Sequence, residues 1–101
     1  MKRSAFLTIL FISASGLFVG AQQPQTTPVE GKIVFEKNCV RCHGSDGTLG
    51  KFGAKNLHKS KLNLEETVRI ISNGKWIMPR WKKKLSMEQI LSVATYVKTL
   101  R

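Results

Sequence analysis

The stretch Asn38-Cys39-Val40-Arg41-Cys42-His43-Gly44 holds both cysteines of the 101-residue chain and one of its two histidines within five consecutive positions. No other feature narrows the possible folds as far. Cys39 and Cys42 stand three apart and His43 four from Cys39, so on a helical turn all three side chains project to one side. Two thiols and an imidazole are thereby offered to a single object, and the rest of the chain has to be built around it.

The start of the chain sets the compartment, which governs what two cysteines can become. Met1-Lys2-Arg3 is a short basic opening, and the apolar run from Ala5 to Val19 is interrupted only by Ser, Thr and Gly. Val19-Gly20-Ala21 then places small or modest side chains before the polar stretch QQPQTTP. This is the pattern of a secretory signal, cleaved after Ala21. An uncleaved membrane anchor is the alternative, although the run is short for a span of about 20 residues. Residues 1–21 are therefore read as a signal peptide, 22–28 as a polar tether and 29–101 as the folded domain, periplasmic or secreted, and membrane-anchored only if the signal is retained. A body of roughly 70 residues lies near the limit at which apolar burial alone outweighs chain entropy, so a staple, metal or cofactor is expected.

Charge bears on partners. The full chain carries 17 Lys and Arg against 6 Asp and Glu, a net of +11, and loss of Lys2 and Arg3 with the signal leaves about +9. Such an excess favours acidic partners. Nucleic acid is not expected outside the cytoplasm, and no helix-turn-helix or RNA-binding motif is present.

Three stretches read as helices. The first runs from Pro28 or Val29 to about Cys39 and leads into the cysteine motif, with Lys32, Glu36 and Lys37 on its polar face. The second is bounded by Asn63 with Glu66 as a capping box and by Asn73-Gly74 as a left-handed exit, and Leu64, Val68 and Ile71 form its apolar stripe. The third opens on another capping box, Ser86 with Gln89, and carries Ile90, Val93, Ala94 and Val97 on one face. Between them lie two long loops, Gly44 to about Leu62 and Lys75 to Leu85. No segment alternates long enough to require a strand. The class is all-α, and loops of such length are usually functional.

Three objects compete for the cysteine motif. A redox-active disulfide expects a preceding strand and a βαβ setting, and the chain offers neither. A zinc site would recruit His58, but structural zinc ligands come as two spaced pairs, whereas His43 adjoins Cys42 and His58 stands alone. Covalent haem uses every residue: the Cys39 and Cys42 sulfurs form thioethers with its two vinyl groups, and His43 ligates the iron. The other face of the iron then needs a ligand or stays open. Met78 is the candidate, 35 residues after His43, with Pro79 fixing the backbone behind it. A gap-filling core role for Met78 and ligation by His58 are the alternatives.

Taken together, Gly31 to Phe35 ahead of NCVRCHG, then NGKWIMPRW, then KLSMEQILSVATYVKTL resemble a monohaem class I cytochrome c of the small bacterial periplasmic type, over essentially residues 29–101. The resemblance implies a fold of three main helices with long loops wrapped around one haem c, the first and last helices crossing near right angles. It places Gly31 at that crossing and Phe35 near Val93 and Tyr96. It also implies that the indole of Trp81, after Met-Pro, donates to a haem propionate; Trp76 is expected to pack against the ring. The chain departs from the pattern in its lysine-rich loop after His43 and in Lys55-Asn56-Leu57, which lacks the proline often found before the Asn-Leu pair.

With His43 and Met78 both on the iron, no position is left for a substrate, and the expected function is single-electron transfer rather than catalysis. Lys75, Arg80 and Lys82 to Lys84 in one loop, with Lys51, Lys55, Lys59 and Lys61 in the other, form a positive rim. That rim suits acidic redox proteins such as an oxidase, a dehydrogenase or another cytochrome, met by a monomer or a subunit of a redox complex. The alternative function is a small haem enzyme or sensor whose open sixth site binds peroxide or a diatomic gas. A basic binding module without haem is the third possibility.

Overall fold

In the computed structural model, which describes residues 8–17, 20 and 27–101, the first helix, α1 (Pro28–Asn38), starts where a cap and a proline coincide. The Thr27 hydroxyl accepts the Glu30 amide at 3.3 Å, and Pro28 enters with φ preset and no amide to satisfy. At the far end the Asn38 side chain donates to the Val34 carbonyl at 2.9 Å. Cys39 interrupts the helix there, and α2 (Val40–His43) adds one further turn before Gly44, at φ 79°, ends it. The first helix thus ends where it is expected to, at about Cys39, and the motif itself adds a separate short turn.

Both capping boxes form as the sequence requires. Asn63 accepts the Glu66 amide at 2.8 Å while the Glu66 carboxylate accepts the Asn63 amide at 2.9 Å, opening α3 (Leu64–Asn73). Ser86 and Gln89 repeat the exchange at 3.1 and 2.9 Å at the head of α4 (Met87–Lys98). Each closes two amides that a helix start otherwise leaves unpaired.

Helices α1 and α4 pack on each other, and α3 packs on α4. The α1–α4 crossing passes through Gly31, where an added β-carbon would overlap the Ser92 carbonyl and come within 2.7 Å of the Tyr96 β-carbon. Four residues on, the Phe35 ring lies 5.3 Å from that of Tyr96 at 58°, the tilted geometry favoured by aromatic quadrupoles. Phe35 joins Val34, Ile71, Ile90, Val93, Ala94 and Val97 in the buried core. The roles expected of Gly31 and Phe35 are those observed.

The chain is helical, with no strand among the described residues beyond an isolated pairing of Lys75 with Met78. The two long loops carry three single 3₁₀ turns, Lys51–Gly53, Leu57–Lys59 and Trp81–Lys83. A three-residue turn is too short to leave an apolar period, so these were not legible in advance. In α3 the buried positions are Thr67, Ile71 and Ser72, whereas Leu64 and Val68 are only half-buried. Thr67 can be buried because its hydroxyl donates to the Asn63 carbonyl at 2.8 Å.

Residues 8–17 form no helix, and the side chains of Ile9, Leu10, Phe11, Ile12 and Leu17 are exposed. Among the described residues no helix is long and apolar enough to cross a membrane. The expected cleavage after Ala21 lies outside the described residues.

Candidate functional site

The break at Cys39 keeps the motif on one turn. The Cys39 carbonyl accepts the amides of Cys42 at 3.2 Å and His43 at 3.0 Å, which fixes the three side chains in a helical register. Both thiols are free and half-buried. Burial, with the neighbouring Cys42 adding to it, pushes the Cys39 thiol up to about 12, so it is held as the neutral thiol.

His43 is fixed by a backbone group far along the chain. Its Nδ1 lies 3.1 Å from the carbonyl oxygen of Lys55. With the proton on Nδ1, that nitrogen donates to the carbonyl and Nε2 presents a lone pair. Burial lowers the His43 pKa, against a smaller raising effect of the Lys55 bond, and so favours the neutral imidazole that a metal needs. The loop that brings Lys55 round is itself tied down. The Leu49 amide donates to the His43 carbonyl at 2.9 Å, the Leu57 amide to the Gly47 carbonyl at 2.9 Å, and the Asp46 carboxylate accepts both the amide and the hydroxyl of Thr48, at 3.0 and 2.7 Å. Gly47, at φ 84°, is needed there, since a β-carbon would press to 2.8 Å on Leu57.

The Met78 loop is closed tightly at its base. Gly74 (φ 68°) leaves α3 with its amide on the Ile70 carbonyl at 2.8 Å, and the Met78 amide returns to the Lys75 carbonyl at 3.0 Å. A β-carbon on Gly74 would collide with the Met78 carbonyl and reach 2.8 Å from that of Pro79. On the other side Lys82 Nζ donates to Asn73 Oδ1 at 3.1 Å, tying the 3₁₀ turn after Met78 back to the end of α3.

The expected site residues fall into two groups. Cys39, Met78 and Trp81 are half-buried and pack against the same core, beside Val40, Leu57 and Val68; Cys42 and His43 share the turn of Cys39. His58, the rival ligand, is exposed, with its amide on Asn56 Oδ1 at 3.0 Å. Trp76 stands at φ 52°, with Lys75 Nζ 5.3 Å and Lys55 Nζ 5.8 Å from its ring. Among the described residues no three His, Cys, Asp or Glu side chains gather as an ion site. The residues do suit a haem. The donors are two thiols, an imidazole and a thioether, and the partly buried apolar side chains of Val40, Leu57, Val68 and Trp81 pack against the same core as Cys39 and Met78. Sequence reasoning missed Lys55, because its contribution to His43 is a carbonyl that every residue type possesses.

Comparison with known proteins adds the following. Residues 26–97 match the family described as cytochrome c oxidase, cbb3-type, subunit III. Cytochrome c6 of Leptolyngbya boryana is 45% identical over 74 residues, covering 66% of this chain and 85% of that protein. Cytochrome c6 of Chlorolobion braunii is 38% identical over 74 residues, covering 66% and 83%. Subunit CcoP of the cbb3-type cytochrome c oxidase of Cereibacter sphaeroides is 35% identical over 86 residues, which are 77% of this chain but 29% of that longer protein. The crystal structure of cytochrome c6 from the diatom Phaeodactylum tricornutum superposes with a TM-score of 0.64 at 27% identity, covering 72% of this chain and 92% of that one.

Proposed function

The chain belongs to the class I cytochrome c family, and from that premise we propose that it is a periplasmic carrier of single electrons, with one haem c held by Cys39, Cys42, His43 and Met78. Cys39 and Cys42 would tether the group as thioethers, and His43 Nε2 and the Met78 sulfur would hold its iron. Bound there, haem c supplies a one-electron ferric–ferrous couple.

The observation that carries this reading is the placement of Cys39, Cys42 and His43 on one turn with the imidazole anchored through Nδ1 to the Lys55 carbonyl. An anchored imidazole keeps its orientation and basicity, and a closed Gly74–Pro79 loop holds Met78 against rearrangement. With His43 and Met78 both holding the iron, no position would be left for a substrate, and this would distinguish a carrier from a peroxide-reducing or gas-binding haem protein. Trp81, half-buried on the core, is the side chain we assign to a propionate, through its indole N–H. The signal at residues 1–21 directs the 29–101 domain to the periplasm. The unpaired cations of the two loops select acidic redox proteins; the sole ion pair among the described residues, Lys32 with Glu36 at 3.9 Å, lies elsewhere on α1.

The test is the visible spectrum of the protein matured with haem, oxidised and reduced, before and after carbon monoxide. A covalent c-type spectrum with the red methionine-to-iron band and no response to carbon monoxide is expected. Covalent haem that lacks the band and binds carbon monoxide would move the function to ligand chemistry. A colourless protein would sink the haem reading altogether.

A further inference from the structure

Of the four asparagines in the chain, only Asn73 is followed by glycine. The pairing has a chemical consequence, because the amide nitrogen after an asparagine can attack the side-chain carboxamide, and a side chain on the following residue hinders that approach. Cys39, Leu57 and Leu64 stand after Asn38, Asn56 and Asn63. The carboxamides of those three are also engaged by backbone. Asn38 Nδ2 donates to the Val34 carbonyl at 2.9 Å, Asn56 Oδ1 accepts the His58 amide at 3.0 Å, and Asn63 Oδ1 accepts the Glu66 amide at 2.8 Å. Turning any of them toward the following amide would undo a helix end. Asn73 is exposed, and what holds its carboxamide is a side chain that is itself exposed: Lys82 Nζ donates to Oδ1 at 3.1 Å. Water replaces such a bond at little cost.

Asp46-Gly47 offers the same backbone geometry with a carboxyl in place of the amide. There the Thr48 hydroxyl and amide both donate to the carboxylate and keep it ionised, which makes it a poor electrophile. At Asn73 the second restraint is the Gly74 amide, which donates to the Ile70 carbonyl at 2.8 Å. That bond belongs to the last turn of α3, and helix ends open more readily than helix interiors.

We propose that Asn73 is a self-modifying site, converted by water to aspartate and isoaspartate, whose rate is held down by Lys82 and whose isoaspartate product releases Met78. The Gly74 nitrogen gives its proton to solvent and bonds to Asn73 Cγ; the Cγ–Nδ2 bond breaks and ammonia leaves. One water then opens the five-membered succinimide. Opening at the side-chain carbonyl gives aspartate, and opening at the backbone carbonyl gives isoaspartate, whose chain runs through the side chain and is one methylene longer. The two products act differently on the fold. Aspartate keeps the backbone length and offers Lys82 a carboxylate. Isoaspartate lengthens the chain where there is no room, since even a β-carbon on Gly74 would collide with the Met78 carbonyl and come within 2.8 Å of that of Pro79. The backbone of Met78 has to shift. This last consequence rests on the Met78–iron bond proposed above, whereas the modification itself does not.

The experiment ages the haem-loaded protein at mildly alkaline pH and 37 °C, and follows intact mass, peptide maps with isoaspartate detection, and the methionine-to-iron band. Wild type is expected to gain one dalton at Asn73 ahead of Asn38, Asn56 and Asn63. Lys82→Ala should raise that rate about fivefold, the worth of one hydrogen bond. Asn73→Ser should abolish the gain. The isoaspartate fraction, separated by ion exchange, should have lost the band, while freshly made Asn73→Asp keeps it. Modification of another asparagine first, or a rate in Lys82→Ala that is unchanged or lower, overturns the proposal. So does an isoaspartate fraction that retains the band. If the band is missing from fresh wild type, it is the Met78–iron reading that fails, and the mass gain at Asn73 still decides the modification.

Discussion

The carbonyl oxygen of Lys55 stands 3.1 Å from Nδ1 of His43, twelve residues back along the chain. The bond uses the backbone of Lys55, while its side chain reaches the ring of Trp76. The two roles can therefore be separated by mutation. Lys55→Ala keeps the carbonyl, so the haem spectrum and midpoint potential should match wild type. Only the salt dependence of association with acidic partners should weaken, since one cation is gone. A shifted potential in this variant would show that the side chain matters to the imidazole.

Gly74→Ala tests how the Met78 loop is closed. The new methyl group would meet the carbonyls of Met78 and Pro79, at a backbone angle that favours glycine. The expected cost is about 1–3 kcal/mol of stability. Because the displaced atoms belong to Met78 itself, the methionine-to-iron band should weaken and carbon monoxide should gain access. Absorbance near that band, read beside a denaturant titration, separates the local effect from global unfolding.

Gly31→Ala acts where α1 packs on α4. Its β-carbon would overlap the Ser92 carbonyl where α1 crosses α4. The helices must separate or the variant fails to fold, and a loss of about 1–3 kcal/mol or more is expected. In whatever fraction folds, the iron spectrum should be that of wild type, since neither axial ligand lies at the crossing. A large spectral change at full stability would contradict this.

Truncating Phe35 to Ala removes the aromatic partner of Tyr96 and opens the core between α1 and α4. A loss of about 3–5 kcal/mol is expected, from the deleted ring and the cavity left behind. Chemical denaturation of the haem-loaded protein measures it.

Asp46 gives a pH-dependent prediction. Its pKa is lowered, first by the Thr48 hydroxyl and then by the Thr48 amide, both of which donate to the ionised form. A carboxylate with a depressed folded pKa contributes stability above its unfolded value of about 3.9, and that contribution is lost as pH falls through the folded value. The group is fully exposed, so the effect is small. Asp46→Ala should be less stable than wild type at pH 6, and the difference should vanish near pH 2. A difference that grows in acid would reverse the assignment.

How far the sequence reached is clearest at particular residues. The spacing of Cys39, Cys42 and His43 fixed their shared turn, because three and four residues are the helical repeat whatever the surroundings. Asn63 with Glu66 and Ser86 with Gln89 announced two helix starts through bonds that close within four residues. Pro28, Gly74 and the apolar face from Ile90 to Val97 were legible for the same reason: each acts on its immediate neighbours. The contacts between distant residues were not, apart from the Gly31 crossing and the Phe35–Tyr96 contact that the resemblance implied. Nothing in a residue's type says that the carbonyl of Lys55 would reach His43, or that Lys82 would turn back to Asn73. The burial of Thr67 ahead of Leu64 was equally hidden. Each depends on where a loop of many residues brings its backbone, and that is decided by packing of the whole chain around Gly31, Phe35 and the α4 face. Local chemistry thus determined the ligand turn and the helix boundaries, while the tertiary structure alone decided which atoms orient the imidazole and close the Met78 loop.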